Sequence, residues 1–113
     1  MDLWLELERL RNELLVSIKQ LRKTGQTKAE TERDYYVAKA SESLRLKEQG
    51  QSVTMIQLII KGQKEVAEKL FKYHVAEVTH QANLEHVNST KIQMRILESQ
   101  ISREFGQANG LNS

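Results

Sequence analysis

The sequence contains no cysteine and no proline, and it has only five glycines among its 113 residues. Without cysteine the chain forms no disulfide and has no thiol nucleophile or thiolate metal ligand. Proline is the strongest helix breaker, and the chain is rich in Leu, Lys, Glu, Gln and Ala, which favour helix. We therefore predict an all-α fold.

Aromatic residues and long apolar runs are also scarce. Aromatics make up 5% of the residues and apolar residues 39%, which predicts a narrow aliphatic seam between helices rather than a thick core. The longest apolar run is far shorter than the roughly 20 residues that cross a bilayer. The start MDLWLELERL carries acids within its apolar pattern, unlike a secretion signal. We expect a soluble cytoplasmic protein with no membrane contact.

The charge is balanced, with 17 basic and 15 acidic residues and a formal net charge of +2. A dedicated nucleic-acid-binding domain usually carries a clear basic excess. Composition alone therefore does not indicate nucleic acid. The length fits a single domain, since domains commonly have about 100–150 residues.

The densest apolar stretch, GQSVTMIQLIIKG at 50–62, has a glycine at each end. We predict that it forms the tip of a hairpin and contains a short helix that begins near Ser52 or Thr54. A strand is the alternative, but the sequence offers no second strand to pair with it. The apolar side chains of the tip either close the end of a bundle or contact a second subunit or another protein. These candidate contacts are Val53, Met55, Ile56, Leu58, Ile59 and Ile60.

The first arm, 2–49, gives conflicting signals near Gly25. Asp2 is placed to cap its helix. Gly25 resembles a C-terminal cap, and Thr27 with Glu30 matches a capping box, so both indicate a break. An apolar repeat of eleven residues continues through this region, however, as expected of one nearly straight helix. We favour one long helix. The repeat comprises Leu3, Leu14, Gly25 and Tyr36 in one register and Leu7, Ile18, Ala29 and Ala40 in the next.

The second arm, 63–105, has an uninterrupted helical pattern with two apolar stripes, and a flexible tail is predicted at 106–113. One stripe is Val66, Leu70, Tyr73, Leu84, Val87, Met94, Ile101 and Phe105, and the other is Ala67, Phe71, Val75, Val78, Ala82, Ile92 and Ile96. Two stripes indicate two packing neighbours. The first arm supplies one and a second chain the other. We predict a long antiparallel, coiled-coil-like helical hairpin, completed into a bundle in a dimer or higher oligomer.

No residue pattern indicates catalysis. The sequence has no glycine-rich phosphate loop and no GxSxG nucleophile motif. Glu77-x-x-His80 has the spacing of di-iron bundles, with Glu30 and Glu32 available, but such sites need two motifs and two further glutamates. We predict a non-enzymatic protein with no catalytic residues, no metal site and no cofactor.

Nucleic acid is the alternative partner, because basic side chains cluster in two regions of the chain. Lysine and arginine side chains at these places can contact phosphates. The same residues on an exposed helix face also serve ordinary solvation. The candidate contacts are Lys19, Arg22, Lys23, Lys28, Lys61 and Lys64.

Several segments resemble small helical proteins of temperate phages and prophages of Gram-positive bacteria. The similar segments are LxxLRxxLxxxIxxLRKxG, ERDYYVAKA, the Gly50 to Gly62 tip, VAEKLFKYHVAEV and KIQMRILESQISREFG, which together cover about residues 3–106. Genes for these proteins often lie near recombination and replication genes. The resemblance implies a phage accessory protein in the bacterial host cytoplasm and implies no catalytic residue. We expect a factor that binds a protein of replication, recombination or host defence.

Overall fold

The computed structural model describes residues 2–111, with the side chains of 2–106, and contains three helices. Helix α1 is Leu3–Glu48, α2 is Val53–Gly62 and α3 is Lys64–Leu111. There is no strand in this part of the chain, so the all-α prediction is confirmed. Within residues 2–111, no helix is both long and apolar enough to cross a membrane.

Helix α1 is continuous through Gly25, as the favoured prediction stated. The Thr27 hydroxyl donates a hydrogen bond of 3.0 Å to the Lys23 carbonyl one turn earlier, instead of capping a new helix. Asp2 caps the true start, because its Oδ1 accepts bonds from the amides of Trp4 at 2.9 Å and Leu5 at 3.2 Å. The alternative break near residue 25 is therefore wrong. A single glycine costs a helix only about 1 kcal/mol, which a long helix tolerates.

The predicted tip is a short helix between two well-defined connections. Gly50 has a φ of 83°, and its position ends α1. Ser52 caps α2, with Oγ accepting a 3.2 Å hydrogen bond from the Met55 amide. Gln63 separates α2 from α3, and its side chain accepts a 2.7 Å bond from the Val66 amide. The strand alternative for this stretch is wrong.

Replacing Gly50 with alanine tests this connection. Nothing lies within 4 Å of the added Cβ, so the cost comes from the positive φ alone. We expect Gly50→Ala to lower the free energy of unfolding by about 1–2 kcal/mol. Gly62→Ala is the matched control, since Gly62 has equal space and no positive φ. Urea titration of both variants checks this, and equal effects would contradict the role of the backbone at Gly50.

The chain divides into two compact units, and the first comprises Met1–Arg22 and Ala82–Ser113. In its described part, Leu7, Leu10 and Leu97 form the buried core, and Leu3, Met94 and Ile101 pack against them. Glu13 Oε1 lies 3.4 Å from His86 Nε2. Leu7 and Leu10 pack with Leu97, whereas Glu13, which comes later on α1, contacts His86, which comes earlier on α3. Within this unit the two helical segments therefore run in opposite directions.

The second unit, Lys23–Gln81, contains the end of α1, all of α2 and the start of α3. Its buried core is formed by one residue from each helix: Leu46, Ile60 and Val66. Tyr35, Ala38, Ile56 and Ile59 pack against this core. The Tyr35 and Tyr73 rings are stacked with centroids 6.4 Å apart. Here too, the segments of α1 and α3 run in opposite directions.

After Leu14 the buried side of α1 follows the predicted eleven-residue repeat only at Gly25, which is half-buried. Ile18, Ala29, Tyr36 and Ala40 are exposed, although the repeat placed them on the packing face. One series of buried and half-buried positions instead recurs every three or four residues, as in helices that wrap around each other with 3.5 residues per turn. This series is Leu3, Leu7, Leu10, Leu14, Ser17, Leu21, Thr24, Lys28, Thr31, Tyr35, Ala38, Glu42 and Leu46.

On α3 the first predicted stripe is correct except at its end. Its members from Val66 to Ile101 are buried or half-buried, but Phe105 is 65% exposed. The stripe lacked Ala76, Thr90 and Leu97, which are buried at 7%, 2% and 7% exposure. The helix also continues to Leu111, beyond the predicted end at 105. Of the predicted tail 106–113, residues 112 and 113 lie outside the described residues.

Candidate functional site

A wide groove opens in the second unit where α1, α2 and α3 meet. It has a volume of about 1210 Å³. Its floor consists of buried and half-buried side chains from all three helices: Tyr35, Ile56, Ile60, Val66 and Leu70. The exposed side chains of Leu44, Val53 and Phe71 extend the apolar lining toward solvent. We call this feature the α2 groove.

The rim of the α2 groove is basic. Lys39, Lys47 and Lys61 line it, together with His74, and none of its lining residues carries a carboxylate. Another depression of the same unit has a mixed charge instead. It is lined by Arg33, Asp34, Glu42, Arg45, Glu65 and Lys69, among other residues. A basic lining is therefore not general to this unit, although a third depression, lined by Lys23 and Lys72, also lacks a carboxylate.

Tyr73 stacks on Tyr35 of the groove floor and has acidic side chains near it. Tyr73 is half-buried, and its hydroxyl lies 3.3 Å from the Glu77 carboxylate. Burial and the negative charges of Glu32 and Glu77 raise the pKa of Tyr73. Lys39 lies over the Tyr35 ring, 5.8 Å from its centroid. Glu32 and Glu77 are not among the residues that line the groove.

The six tip residues that were predicted to make contacts fall into two groups. Ile56 and Ile59 are half-buried against the core of the unit, and Ile60 is 5% exposed. Val53, Met55 and Leu58 are exposed at 73%, 45% and 62%. The isoleucines thus anchor α2 within the unit. The role of the exposed residues in oligomer or partner contact stays a prediction.

The second predicted stripe of α3 is exposed throughout. We call its large apolar members the outer positions of α3: Phe71, Val75 and Val78 in the second unit, and Ile92 and Ile96 in the first. In the first unit, Trp4, Leu5, Leu15 and Val16 of α1 are exposed as well. Apolar surface of this extent commonly marks an interaction site in a soluble protein.

The residues proposed for nucleic-acid contact occupy different environments. Lys19 and Arg22 are exposed in the first unit. In the second unit, Lys61 lines the α2 groove, Lys23 lines a separate depression beside Phe71, and Lys28 is half-buried. Lys64 is exposed at the first residue of α3. The lysines of the second unit therefore line separate surfaces.

Three of the residues weighed as metal ligands make other contacts. His80 Nδ1 lies 2.9 Å from Thr24 Oγ1, and Glu30 accepts a 3.0 Å bond from Gln26. Glu77 bonds Tyr73. Among residues 2–111, no group of three or more His, Asp or Glu side chains is placed to hold a metal ion.

Sequence reasoning identified the tip but missed the α2 groove. Lys39, Ser43 and Lys47 line it from α1, beside Ala40 of the predicted apolar repeat. The available signal was charge: Lys39 and Lys47 are eight residues apart and so lie on the same side of a helix. Lys61 lines the same groove as these two lysines because the chain turns at Gly50, and the spacing of the lysines in the sequence does not reveal this.

Comparison of the chain with protein-family models, with curated proteins and with solved structures finds no significant match.

Proposed function

We propose that the chain is a non-enzymatic helical protein that assembles into a dimer or higher oligomer and acts by binding another protein. The observation that carries the proposal is the exposure of the outer positions of α3. These side chains lie on a helix whose other side is already buried against α1 in each unit. A helix with two apolar sides favours two packing neighbours, and one chain supplies only one of them.

In this proposal the chain is a long antiparallel helical hairpin with α2 at its tip, and a second copy completes a helical bundle. The resemblance to phage helical proteins supports an accessory factor in the bacterial cytoplasm. Its target is then a protein of replication, recombination or host defence.

The outer positions provide the test of self-assembly. We expect the wild-type chain to sediment as a dimer or larger species and the double variant Ile92→Glu with Ile96→Glu to sediment as a monomer. Two carboxylates would have to be buried without partners in the assembled form, which costs several kcal/mol. Sedimentation velocity measures the change, and circular dichroism shows that the variant keeps its helices.

The double variant Lys91→Gln with Ser102→Glu is the control. It makes the same change in net charge on the same helix, at exposed positions that do not share a helix face with the two isoleucines. It should sediment like the wild type. If both double variants dissociate equally, charge and not the apolar surface controls assembly, and this part of the proposal is wrong.

Direct nucleic-acid binding is the second candidate. The exposed lysines on the rim of the α2 groove favour it, because no carboxylate among the lining residues offsets them. It requires binding that weakens steeply as salt rises. Fluorescence anisotropy of a labelled single-stranded oligonucleotide, titrated at low and at high salt with the wild type and with the variant Lys39→Glu, Lys47→Glu, Lys61→Glu, tests it on the same surface.

A further inference from the structure

We propose that the α2 groove binds an amphipathic helix of a partner protein, with the apolar side of that helix in the groove and acidic side chains at Lys39, Lys47 and Lys61. The inference deepens the proposed function, because it rests on the chain acting as a protein-binding module. It assigns the surface and the chemistry of the partner. Phe71 belongs to the groove wall in this proposal, and the outer positions Ile92 and Ile96 in the first unit remain the surface on which self-assembly is tested.

The size of the groove favours a macromolecular occupant. Its volume of about 1210 Å³ exceeds the roughly 300–1,000 Å³ of most small-molecule pockets. The floor from Ile56 to Leu70 is mainly aliphatic, with Tyr35 as its aromatic member. Such a floor accepts a row of apolar side chains and offers few fixed polar groups to orient a small ligand.

The secondary structure of the unit favours a helix as the occupant. An extended peptide usually binds by pairing with the edge of a sheet, and residues 2–111 contain no strand. In an apolar groove its amides would lack partners, which is costly. A helix satisfies its own backbone and presents apolar side chains at three- and four-residue spacing.

Charge complementarity selects an acidic helix. Three ammonium groups stand on the rim, and no carboxylate stands among the lining residues. Rim ion pairs contribute modestly to affinity, but they steer encounter and reject partners of like charge. A helix with glutamates or aspartates flanking its apolar stripe meets all three lysines, whereas a basic helix is repelled.

Two other occupants fit the groove less well, a second copy because of its charge and a nucleic acid because of the aliphatic floor. If a second copy presented its own α2 groove to this one, lysines would face lysines. A nucleic acid would gain from the lysines but would place phosphates and bases over a mainly aliphatic floor, whereas single strands bind where aromatic faces stack bases. Ile60 and Val66, both buried in this floor, offer neither hydrogen bonds nor stacking.

Two labelled peptides of about 18 residues, or five helical turns, test the proposal with the full-length protein. Both carry the same leucine stripe, and one has glutamate and the other lysine at its flanking positions. We expect fluorescence anisotropy to show at least about tenfold tighter binding of the acidic peptide. The triple variant Lys39→Glu, Lys47→Glu, Lys61→Glu should reverse the preference.

The control variant is Lys19→Glu, Lys23→Glu, Lys91→Glu, which changes the net charge equally at exposed lysines outside the α2 groove. It should keep the preference for the acidic peptide. Leu44→Asn supplies a test without a charge change. Leu44 is 59% exposed on the groove wall, so its loss should leave the fold intact and weaken binding of the acidic peptide about fivefold or more.

Three results would overturn the proposal. One is equal binding of the two peptides by the wild type, or equal effects of the two triple variants. Another is that an oligonucleotide, and neither peptide, binds in a manner that depends on the rim lysines. The third is that the groove variants dissociate the oligomer while no peptide binds, which makes a second copy the occupant. Self-assembly is measured separately with the variant of Ile92 and Ile96. If the groove proposal is wrong, the test of self-assembly is therefore unaffected.

Discussion

Replacing Leu7 with alanine should lower the free energy of unfolding by about 2–4 kcal/mol. Leu7 is 5% exposed and belongs to the buried core of the first unit, with Leu10 and Leu97. Truncation removes apolar contacts and leaves a cavity that a pair of helices fills only by moving closer. Few residues make up this core, so each contributes a large share of the stability of the unit.

The matched control is Leu5→Ala, which makes the same chemical change two residues away on the same helix. Leu5 is 65% exposed, so its truncation should cost less than about 0.5 kcal/mol. Chemical denaturation should be followed at concentrations where the protein is monomeric, because self-association adds to apparent stability. Equal losses in the two variants would mean that the burial pattern of α1 is not as described.

Gly25 gives the second large effect, because a side chain there would meet His80. A Cβ built on Gly25 lies 3.2 Å from His80 Cε1, closer than ordinary contact. The imidazole is also held by Thr24 through the 2.9 Å contact at Nδ1. We expect Gly25→Leu to destabilise the protein by about 1–3 kcal/mol through overpacking, although leucine favours helix far more than glycine does.

The histidine supplies the control for this prediction. In a His80→Ala background the space opposite residue 25 is open, and the same Gly25→Leu change should stabilise the protein by up to about 1 kcal/mol through helix propensity. Thermal or urea unfolding of the four proteins completes a double-mutant cycle. If the two changes are additive, the glycine is not required by the close approach of His80.

The continuous α1 helix could be predicted, because the helix propensity of many residues outweighs the local signals for a break. Gly25 and the Thr27–Glu30 pair indicated a break, but neither gains enough free energy to interrupt a helix that packs along its length. The turn at Gly50 and the cap at Ser52 could also be predicted, since each depends on a residue with a specific local role.

The packing face of α1 beyond Leu14 could be predicted at Gly25, which is half-buried, but not at the other positions of the repeat. Sequence periodicity follows apolar side chains, and Ile18 and Tyr36 kept that pattern. The structure instead buries Ser17 and half-buries Thr24 and Thr31, because contact with α3 repeats every 3.5 residues whatever their polarity. Small polar residues fit a close approach between helices, and a hydrophobicity pattern does not detect them.

The candidate site was predictable in part. The apolar tip was evident from composition, but only packing shows that Ile60 is buried and Leu58 exposed. The α2 groove depends on three helices meeting after the turn at Gly50. Its lysines come from positions as far apart as 39 and 61, so local spacing alone does not bring them together.

Sedimentation equilibrium of the purified wild-type chain over a range of concentrations tests the central claim most directly. Each chain has a mass of 13.1 kDa. If the exposed apolar surface of α3 is an interface between copies, the measured mass will be twice this value or a higher multiple. A mass of one chain at every concentration would contradict the account, because these side chains would then be exposed to water without a partner copy.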